Sequence, residues 1–112
     1  LHHIGIEKLS VLRNLIIKLQ NKAKFVVIKD HFQYGFFSNL TIRVMDFLGN
    51  YFNNVPTPNK YFNKTSFNSL LKLSNSKVVE KVFNIKLYQS YFLFMSNPKF
   101  NFIYLTKKSI NN

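Results

Sequence analysis

Six lysines and five aromatic residues are interleaved between residues 60 and 88, and together these side chains could bind a polyanion. Lysine supplies point charges for phosphate groups, and flat rings supply surfaces on which unpaired bases stack. Each lysine taken singly is better interpreted as a solvated surface residue, but the set predicts binding to structured RNA. The predicted contact residues are Lys60, Lys64, Lys72, Lys77, Lys81, Lys86, Asn59 and Tyr61.

The net charge of the chain favours the same kind of partner. Sixteen Lys and Arg residues against four acids give a formal charge of +12 on 112 residues. A compact domain with so much like charge repels itself unless a polyanion balances it. Nucleic acid is favoured over an anionic membrane because phosphate neutralisation releases counterions, whereas a membrane requires only a basic amphipathic helix.

Residues that could support catalysis are few and scattered. The three histidines include the adjacent His2 and His3, whose side chains would point in different directions, and no acid lies at metal-ligand spacing from them. The four acids stand singly and the three glycines form no phosphate-binding loop. The chain has no cysteine and therefore no thiolate site. We expect a non-enzymatic protein with no metal, cofactor or small-molecule substrate.

Hydrophobic spacing predicts the first elements that position these residues. Apolar residues three and four apart over 6–19 predict an amphipathic helix. The β-branched run at 25–28 predicts a buried strand. Helical spacing returns over 36–51, and Gly49 and Asn50 suit the helix end because both tolerate the left-handed conformation. The order is therefore helix, strand and crossover helix.

The middle of the chain is predicted to be an extended arm. The two prolines at 56–58 cannot lie in a central strand, since each removes a ladder donor. Residues 67–73 and 82–95 both have the pattern of extended chain, and the polar tract at 74–77 has turn composition. These segments predict a long hairpin arm over about 53–95 that projects from the domain.

The segment after this arm has two interpretations. Asn97-Pro98 places a capping residue before a proline, which predicts a helix with Phe100, Ile103 and Tyr104 on one face. An alternation of Phe100, Phe102 and Tyr104 would instead make a strand. We predict the helix and keep the strand as the alternative.

Several short segments, taken in order, also resemble a known family. They are Phe25 to Lys29, the helix around 36–51, Val55-Pro56-Thr57, Phe67 to Leu70, Lys77 through Phe83 to Lys86, and Asn97-Pro98-Lys99. Over about residues 24–108 this order resembles the tenth ribosomal protein of the small subunit, in a divergent organellar form. The chain departs from that pattern at Phe52-Asn53-Asn54, where the family has a glycine-proline pair, and at Tyr88-Gln89-Ser90, where the family has a basic cluster.

The resemblance implies an α+β fold, with a ferredoxin-like sheet packed on two helices. Its second and third strands would form the long protruding hairpin. The sequence stops at Asn112 before a fourth strand, so we expect the last strand to be missing or donated by another chain. Residues 1–23 would be an N-terminal helical extension and residues 24–112 the family domain.

The same resemblance implies a structural constituent of the head of the small ribosomal subunit. Its partners would be ribosomal RNA and neighbouring proteins, commonly the third and fourteenth of that subunit. The expected protein-interaction residues are Val55, Pro56, Phe67, Phe83 and Tyr88. A composition rich in phenylalanine, asparagine and lysine resembles translation of AT-rich DNA, which indicates an organelle-encoded mitochondrial protein.

Two other functions remain as alternatives. A small accessory subunit of an organellar membrane complex is suggested by the 17% aromatic content and the basic amphipathic N-terminal helix. A fragment of a homing endonuclease is disfavoured because Asp30 and Asp46 are poor candidates for binding a metal at a helix end.

Overall fold

A three-stranded antiparallel sheet with helices packed on one face forms the centre of the structure. The computed structural model describes Ile4, residues 8–53, Val55, residues 57–58, residues 60–86 and residues 97–110. The elements in chain order are α1 (Leu9–Lys22), β1 (Val26–His31), α2 (Phe36–Asn50), α3 (Lys64–Leu73), β2 (Ser76–Phe83) and β3 (Asn101–Lys108). Short 3₁₀ turns lie at Tyr51–Asn53 and Pro98–Phe100. The fold is mixed α+β, which confirms the predicted class.

The strands lie in the order β1-β3-β2, with β3 antiparallel to both neighbours. Because β3 separates them, β1 and β2 run parallel to each other and are joined through helices. This is the split β-α-β arrangement of a ferredoxin-like sheet. Ile28 pairs with Tyr104 across β1 and β3, and Phe83 pairs with Phe102 across β2 and β3. A bulge interrupts β2 between Val78 and Glu80.

Helices α1 and α3 cover the same face of the sheet. Leu12 and Ile16 of α1 are fully buried, and so are Phe67 and Leu70 of α3. They pack in one cluster with the inward-facing residues of β1 and β3. The predicted N-terminal helix is confirmed, and its apolar stripe belongs to the same core as the sheet.

Aromatic rings fill the centre of this core. The ring of Phe32 stacks on that of Phe102, with centroids 3.9 Å apart and planes inclined by 19°. Phe67 approaches Phe102 at 4.8 Å and Tyr104 at 5.1 Å, so α3 is held over the central strand by ring contacts. Aromatic pairs at such separations stabilise a core beyond their buried area.

Polar side chains inside the fold are hydrogen-bonded. Gln20 Nε2 donates to Ser76 Oγ at 2.7 Å and connects α1 with the start of β2. Thr106 Oγ1 donates to the Val26 backbone oxygen at 3.1 Å, between the central strand and β1. The described part of the chain has no buried side-chain nitrogen or oxygen atom without a partner, as a well-packed core requires.

Helix α2 confirms the predicted crossover helix, but its end differs from the prediction. The helix continues through Asn50, and Tyr51 keeps right-handed helical angles as the chain enters a 3₁₀ turn. Among the described residues, positive φ angles occur at Gly35, Asn75 and Asn84, so Gly49 and Asn50 do not adopt the left-handed conformation.

The prediction of an extended strand over 67–73 is wrong, because this segment is the helix α3. Asn63 caps it: its side chain accepts a hydrogen bond from Ser66 N at 2.8 Å, and Ser66 Oγ accepts one from Asn63 N at 3.0 Å. Phe67, Leu70 and Leu71 then fall three and four residues apart on the buried side. This capping box and spacing outweigh the polar residues between them.

The helix predicted after Pro98 is also wrong, and the alternative strand is confirmed. The capping signal is real, since the Asn97 side chain accepts a hydrogen bond from Lys99 N at 3.0 Å, but it supports only the 3₁₀ turn Pro98–Phe100. Phe102, Tyr104 and Thr106 then alternate into the core along β3. Burial of alternate residues against two neighbouring strands favours the extended chain.

The projecting hairpin over about 53–95 is not present as predicted. Tyr61 and Phe62 are buried in the core, and the residues after them form α3 and β2. The antiparallel pair observed in the sheet is β2 with β3, so the part of the predicted arm that is a strand pairs with residues 101–108 and not with 67–73. Residues 87–96 of the predicted second strand lie outside the described residues.

Candidate nucleic-acid interface

The face of the sheet opposite α1 and α3 carries lysines. Alternation along β1 buries Val26, Ile28 and Asp30 and exposes Val27 and Lys29. The strand register extends this exposed face across the other two strands through Ile103, Leu105 and Lys107 of β3 and Lys77, Glu80 and Val82 of β2. The result is an aliphatic centre with lysines at its margins and one acid, Glu80, opposite Leu105.

Two of these lysines lie directly opposite each other. Lys77 and Lys107 are cross-strand partners in the antiparallel β2–β3 pair. Directly opposed side chains in such a pair have Cβ atoms about 4.5–5.5 Å apart, and like charges at this separation destabilise the sheet. An anion bound between the two ammonium groups would relieve that repulsion.

An aromatic ring lies next to this pair of charges. Phe25 precedes β1, and the alternation of the strand puts it on the same face as Val27; its side chain is 45% exposed. The ammonium group of Lys24 lies 5.6 Å from the centre of the Phe25 ring. We define the sheet-face patch as Lys24, Phe25, Lys29, Lys77 and Lys107. It combines four cations with one ring on which a base could stack.

A second group of rings and a lysine lies at the start of α3. Lys64 Nζ is 4.9 Å from the centre of the Phe83 ring and 5.9 Å from that of Tyr34. Tyr34 stacks loosely on Phe100, with centroids 6.3 Å apart, and its hydroxyl donates to the Lys99 backbone oxygen at 3.1 Å. The ammonium group of Lys64 thus contacts two aromatic rings, and these contacts compete with binding to a phosphate group.

The structure divides the predicted RNA-binding residues among several surfaces. Lys77 belongs to the sheet-face patch, whereas Lys60 and Lys64 lie near the start of α3. The remaining three are exposed: Lys72 on α3, Lys81 on the helix-covered side of β2, and Lys86 after that strand. The six lysines therefore do not form one continuous surface.

The predicted aromatic contacts are mostly core residues. Tyr61 is 2% exposed and Phe67 is fully buried, so neither ring can stack on a base or on a partner protein. Phe83 is half-buried and packs edge-on to Tyr104 at 5.8 Å. Val55 is half-buried. The predicted residues Pro56, Asn59 and Tyr88 lie outside the described residues.

Tyr61 has a structural task instead. Its hydroxyl donates to Asp46 Oδ2 at 2.9 Å, and its backbone nitrogen donates to Asn39 Oδ1 at 3.3 Å. Burial, together with the hydrogen bond to Asp46, raises the pKa of Tyr61 far above its ordinary value. Burial also raises the pKa of Tyr104. Both hydroxyl groups therefore remain protonated at neutral pH.

Sequence reasoning missed four members of the sheet-face patch: Lys24, Phe25, Lys29 and Lys107. Two of them could have been found from the sequence: in a strand over 25–29, the odd positions Phe25, Val27 and Lys29 lie on one face. The contribution of Lys107 could not be seen because it depends on the assignment of 101–108 as a strand and on its register with β2.

Comparisons with known proteins do not assign the chain to a family. No family model matches it, and no curated protein is significantly similar to it. Within the described residues, no three His, Asp or Glu side chains are grouped so that they could hold a metal ion. No helix in this part of the chain is long and apolar enough to cross a bilayer.

Proposed function

We propose that the chain is a structural constituent of the small ribosomal subunit that binds ribosomal RNA through the sheet-face patch. The observation that carries this proposal is the opposed pair Lys77 and Lys107 beside the exposed ring of Phe25, in a chain of net charge +12. Such a surface suits a phosphate backbone with an unpaired base next to it. The role is structural and not catalytic, and it requires no cofactor.

The family resemblance supports the proposal only in part. The strand order β1-β3-β2, with helices between β1 and β2, is the order that the first three strands of the resembled ferredoxin-like fold would have. Two of the matching segments, Phe67 to Leu70 and Asn97-Pro98-Lys99, belong to elements of a different type from those the resemblance implies. RNA binding is therefore proposed from the charge and the sheet face, and its assignment to the ribosome from the resemblance.

The proposal also specifies partners and location. Neighbouring proteins of the subunit head, by resemblance the third and fourteenth, would contact the chain beside the RNA. Strands β1 and β2 each have one neighbour in the described sheet, so an outer edge of the sheet could pair with a strand from another chain. The composition supports a mitochondrial ribosome as the location.

Sedimentation of the tagged native chain through a sucrose gradient tests this function. We expect the chain to migrate with small ribosomal subunits at moderate salt and to leave that fraction after nuclease treatment. If it stays at the top of the gradient in untreated extract, the ribosomal role is wrong.

The accessory subunit of a membrane complex remains the second candidate. One motivation was the N-terminal amphipathic helix, but the centre of its apolar stripe, Leu12 and Ile16, is fully buried in the core. Carbonate-resistant pelleting with membranes would favour this candidate over the ribosomal one.

A further inference from the structure

The crossover helix α2 turns its most apolar side away from the rest of the molecule. At 100° per residue, seven apolar side chains fall within an arc of about 120°, and their exposed fractions range from 43% to 83%. We name them the α2 stripe: Phe36, Phe37, Leu40, Val44, Phe47, Leu48 and Tyr51. Tyr51 already lies in the 3₁₀ turn that follows α2, and the next residue of that turn, Phe52, extends the stripe and is 89% exposed.

Polar contacts fix this orientation of the helix. Ile42 is the one buried residue of α2, and it lies on the side opposite the stripe. On that inner side Asp46 accepts the hydroxyl hydrogen bond of Tyr61, and Asn39 accepts the hydrogen bond from the Tyr61 backbone. Rotating the stripe towards the sheet would break both bonds and expose the Asp46 contact. The helix is therefore held with its apolar side outward.

The exposed area is large enough for a protein interface. A phenylalanine side chain can bury about 150–250 Å², so Phe36, Phe37, Phe47 and Phe52, at exposed fractions from 52% to 89%, leave roughly 600 Å² uncovered. Their area alone is at the upper end of the largest apolar patch of a typical monomer, about 300–600 Å². The aliphatic members of the stripe bring it close to the ~800 Å² per partner of a standard interface.

The chemistry of the stripe indicates what covers it. The stripe itself contains no lysine, so it does not suit a phosphate backbone. A groove of about 360 Å³ lies on it, lined by Leu40, Val44, Phe47 and Leu48 together with Arg43 and, from outside the helix, Thr57. A second copy of the chain would bring another net charge of +12 against the first, which opposes self-association.

We propose that the α2 stripe is the docking surface for an amphipathic helix of a different protein. That helix would place apolar side chains in the groove and a carboxylate against Arg43. This surface lies on an element that contributes nothing to the sheet-face patch, so the inference does not depend on RNA binding.

Photo-crosslinking of the native complex tests the occupant of the groove. A benzoylphenylalanine in place of Phe47 would report on the groove, and the same residue in place of the exposed Asn68 on α3 is the matched control. We expect the Phe47 probe to join a second protein, within a helical segment that bears an acid, in a product that survives nuclease. A crosslink to RNA, to lipid, to a second copy or to residues 87–96 of the same chain would overturn the proposal. So would a yield no higher than at Asn68.

The role of Arg43 is tested by charge reversal. A peptide with the sequence of the crosslinked segment should bind Arg43→Glu about 10-fold more weakly than the unchanged protein. Exchanging the acid of the peptide for lysine should restore binding to Arg43→Glu. Because Arg43 is exposed, its replacement should leave the far-ultraviolet spectrum unchanged. Equal binding of the peptide to both proteins would show that the docking helix presents no carboxylate to Arg43.

Discussion

Tyr61 connects the crossover helix to the core through its hydroxyl group and its backbone nitrogen. Its ring is buried, and its oxygen reaches a carboxylate of α2 at 2.9 Å. A buried hydrogen bond to a charged group contributes more than a neutral one, and its loss leaves the acceptor partly unsatisfied. The position of α2 therefore depends on this residue.

Replacing Tyr61 with phenylalanine should lower the free energy of unfolding by about 2 kcal/mol, because Asp46 loses a hydrogen-bond donor. Urea denaturation followed by circular dichroism measures the change. Tyr51→Phe is the control: Tyr51 is 60% exposed, and its change should stay within about 0.5 kcal/mol. Equal effects of both variants would contradict the structural role assigned to Tyr61.

The raised tyrosine pKa values predict a loss of stability at alkaline pH. In the unfolded chain tyrosine ionises near pH 10, whereas in the folded chain burial and Asp46 keep Tyr61 protonated above that pH. Its contribution is therefore complete below about pH 10 and declines as the pH rises above it, by about 1.4 kcal/mol per pH unit for one proton.

Unfolding curves between pH 8 and pH 11 check this prediction. Lysines titrate in the same range, so the informative quantity is the difference between the unchanged protein and Tyr61→Phe. That difference should be constant up to about pH 9.5 and then shrink. A difference that grows with pH would have the wrong sign for a buried neutral tyrosine.

At the scale of elements, local signals predicted α1, β1 and α2 because each has an uninterrupted hydrophobic pattern of its own. The errors lie where two signals compete. Residues 64–73 are rich in serine, threonine and asparagine, yet the cap at Asn63 and the spacing of Phe67, Leu70 and Leu71 make a helix. The strand at 101–108 was kept only as the alternative to a helix, because the strands that stabilise it, β1 and β2, lie far away in sequence.

The candidate site could be predicted only in part, because its residues also lie far apart in sequence. The charge and the choice of lysine and rings as RNA-binding groups came from composition. The strand register brings Lys29, Lys77 and Lys107 to one face, and Lys24 joins the patch through its contact with the Phe25 ring. The outward orientation of the α2 stripe had no local signal, because it is set by the hydrogen bond between Tyr61 and Asp46.

The cap of α3 gives an element-scale prediction. Asn63→Ala should destabilise the protein by about 1 kcal/mol, because Ser66 N loses its acceptor. Asn63→Asp keeps an acceptor and adds a favourable charge at the helix start, so its stability should match or exceed that of the unchanged protein. Thermal denaturation of both variants measures the effect. A loss in Asn63→Asp as large as in Asn63→Ala would contradict the capping role.

The edge strand β2 gives a second element-scale prediction. Lys81 pairs with Tyr104, which puts it on the helix-covered side of the sheet, and its side chain still reaches solvent. An inward-pointing charge on an edge strand opposes edge-to-edge pairing of two molecules. Lys81→Val should therefore increase light scattering at equal concentration, whereas Lys18→Val on α1 should not. Unchanged scattering in Lys81→Val would show that the edge is protected in another way.

At the scale of the whole molecule, the sheet-face lysines and the α2 stripe lie on different elements. The RNA and the helix proposed as partners would therefore contact different parts of the chain. Under the proposed function, the chain would connect ribosomal RNA with a neighbouring protein.

The whole-molecule prediction concerns salt. Two variants each change four lysines to glutamine, so each lowers the formal charge from +12 by four. One changes the sheet-face lysines Lys24, Lys29, Lys77 and Lys107, and the matched control changes the exposed Lys8, Lys18, Lys72 and Lys99. The first should bind a fluorescent single-stranded RNA more weakly than the control does. The slope of log affinity against log salt concentration should become less steep by about 0.7 for each phosphate that the variant no longer neutralises.

Fluorescence anisotropy at several potassium chloride concentrations measures these slopes. If the two variants show the same decrease in affinity, RNA binding depends on the total charge and not on the sheet face.

The central position of β3 also affects how the protein is made. Strands β1 and β2 share no hydrogen-bond ladder with each other, and the strand that joins them is the last of the three to be synthesised. The nascent chain cannot close its sheet until residues 101–108 have left the exit tunnel, and until then Phe32 and Phe67 lack their ring partner Phe102. This topology thus leaves apolar surface exposed on the nascent chain, and such surface is prone to aggregation and is what chaperones bind.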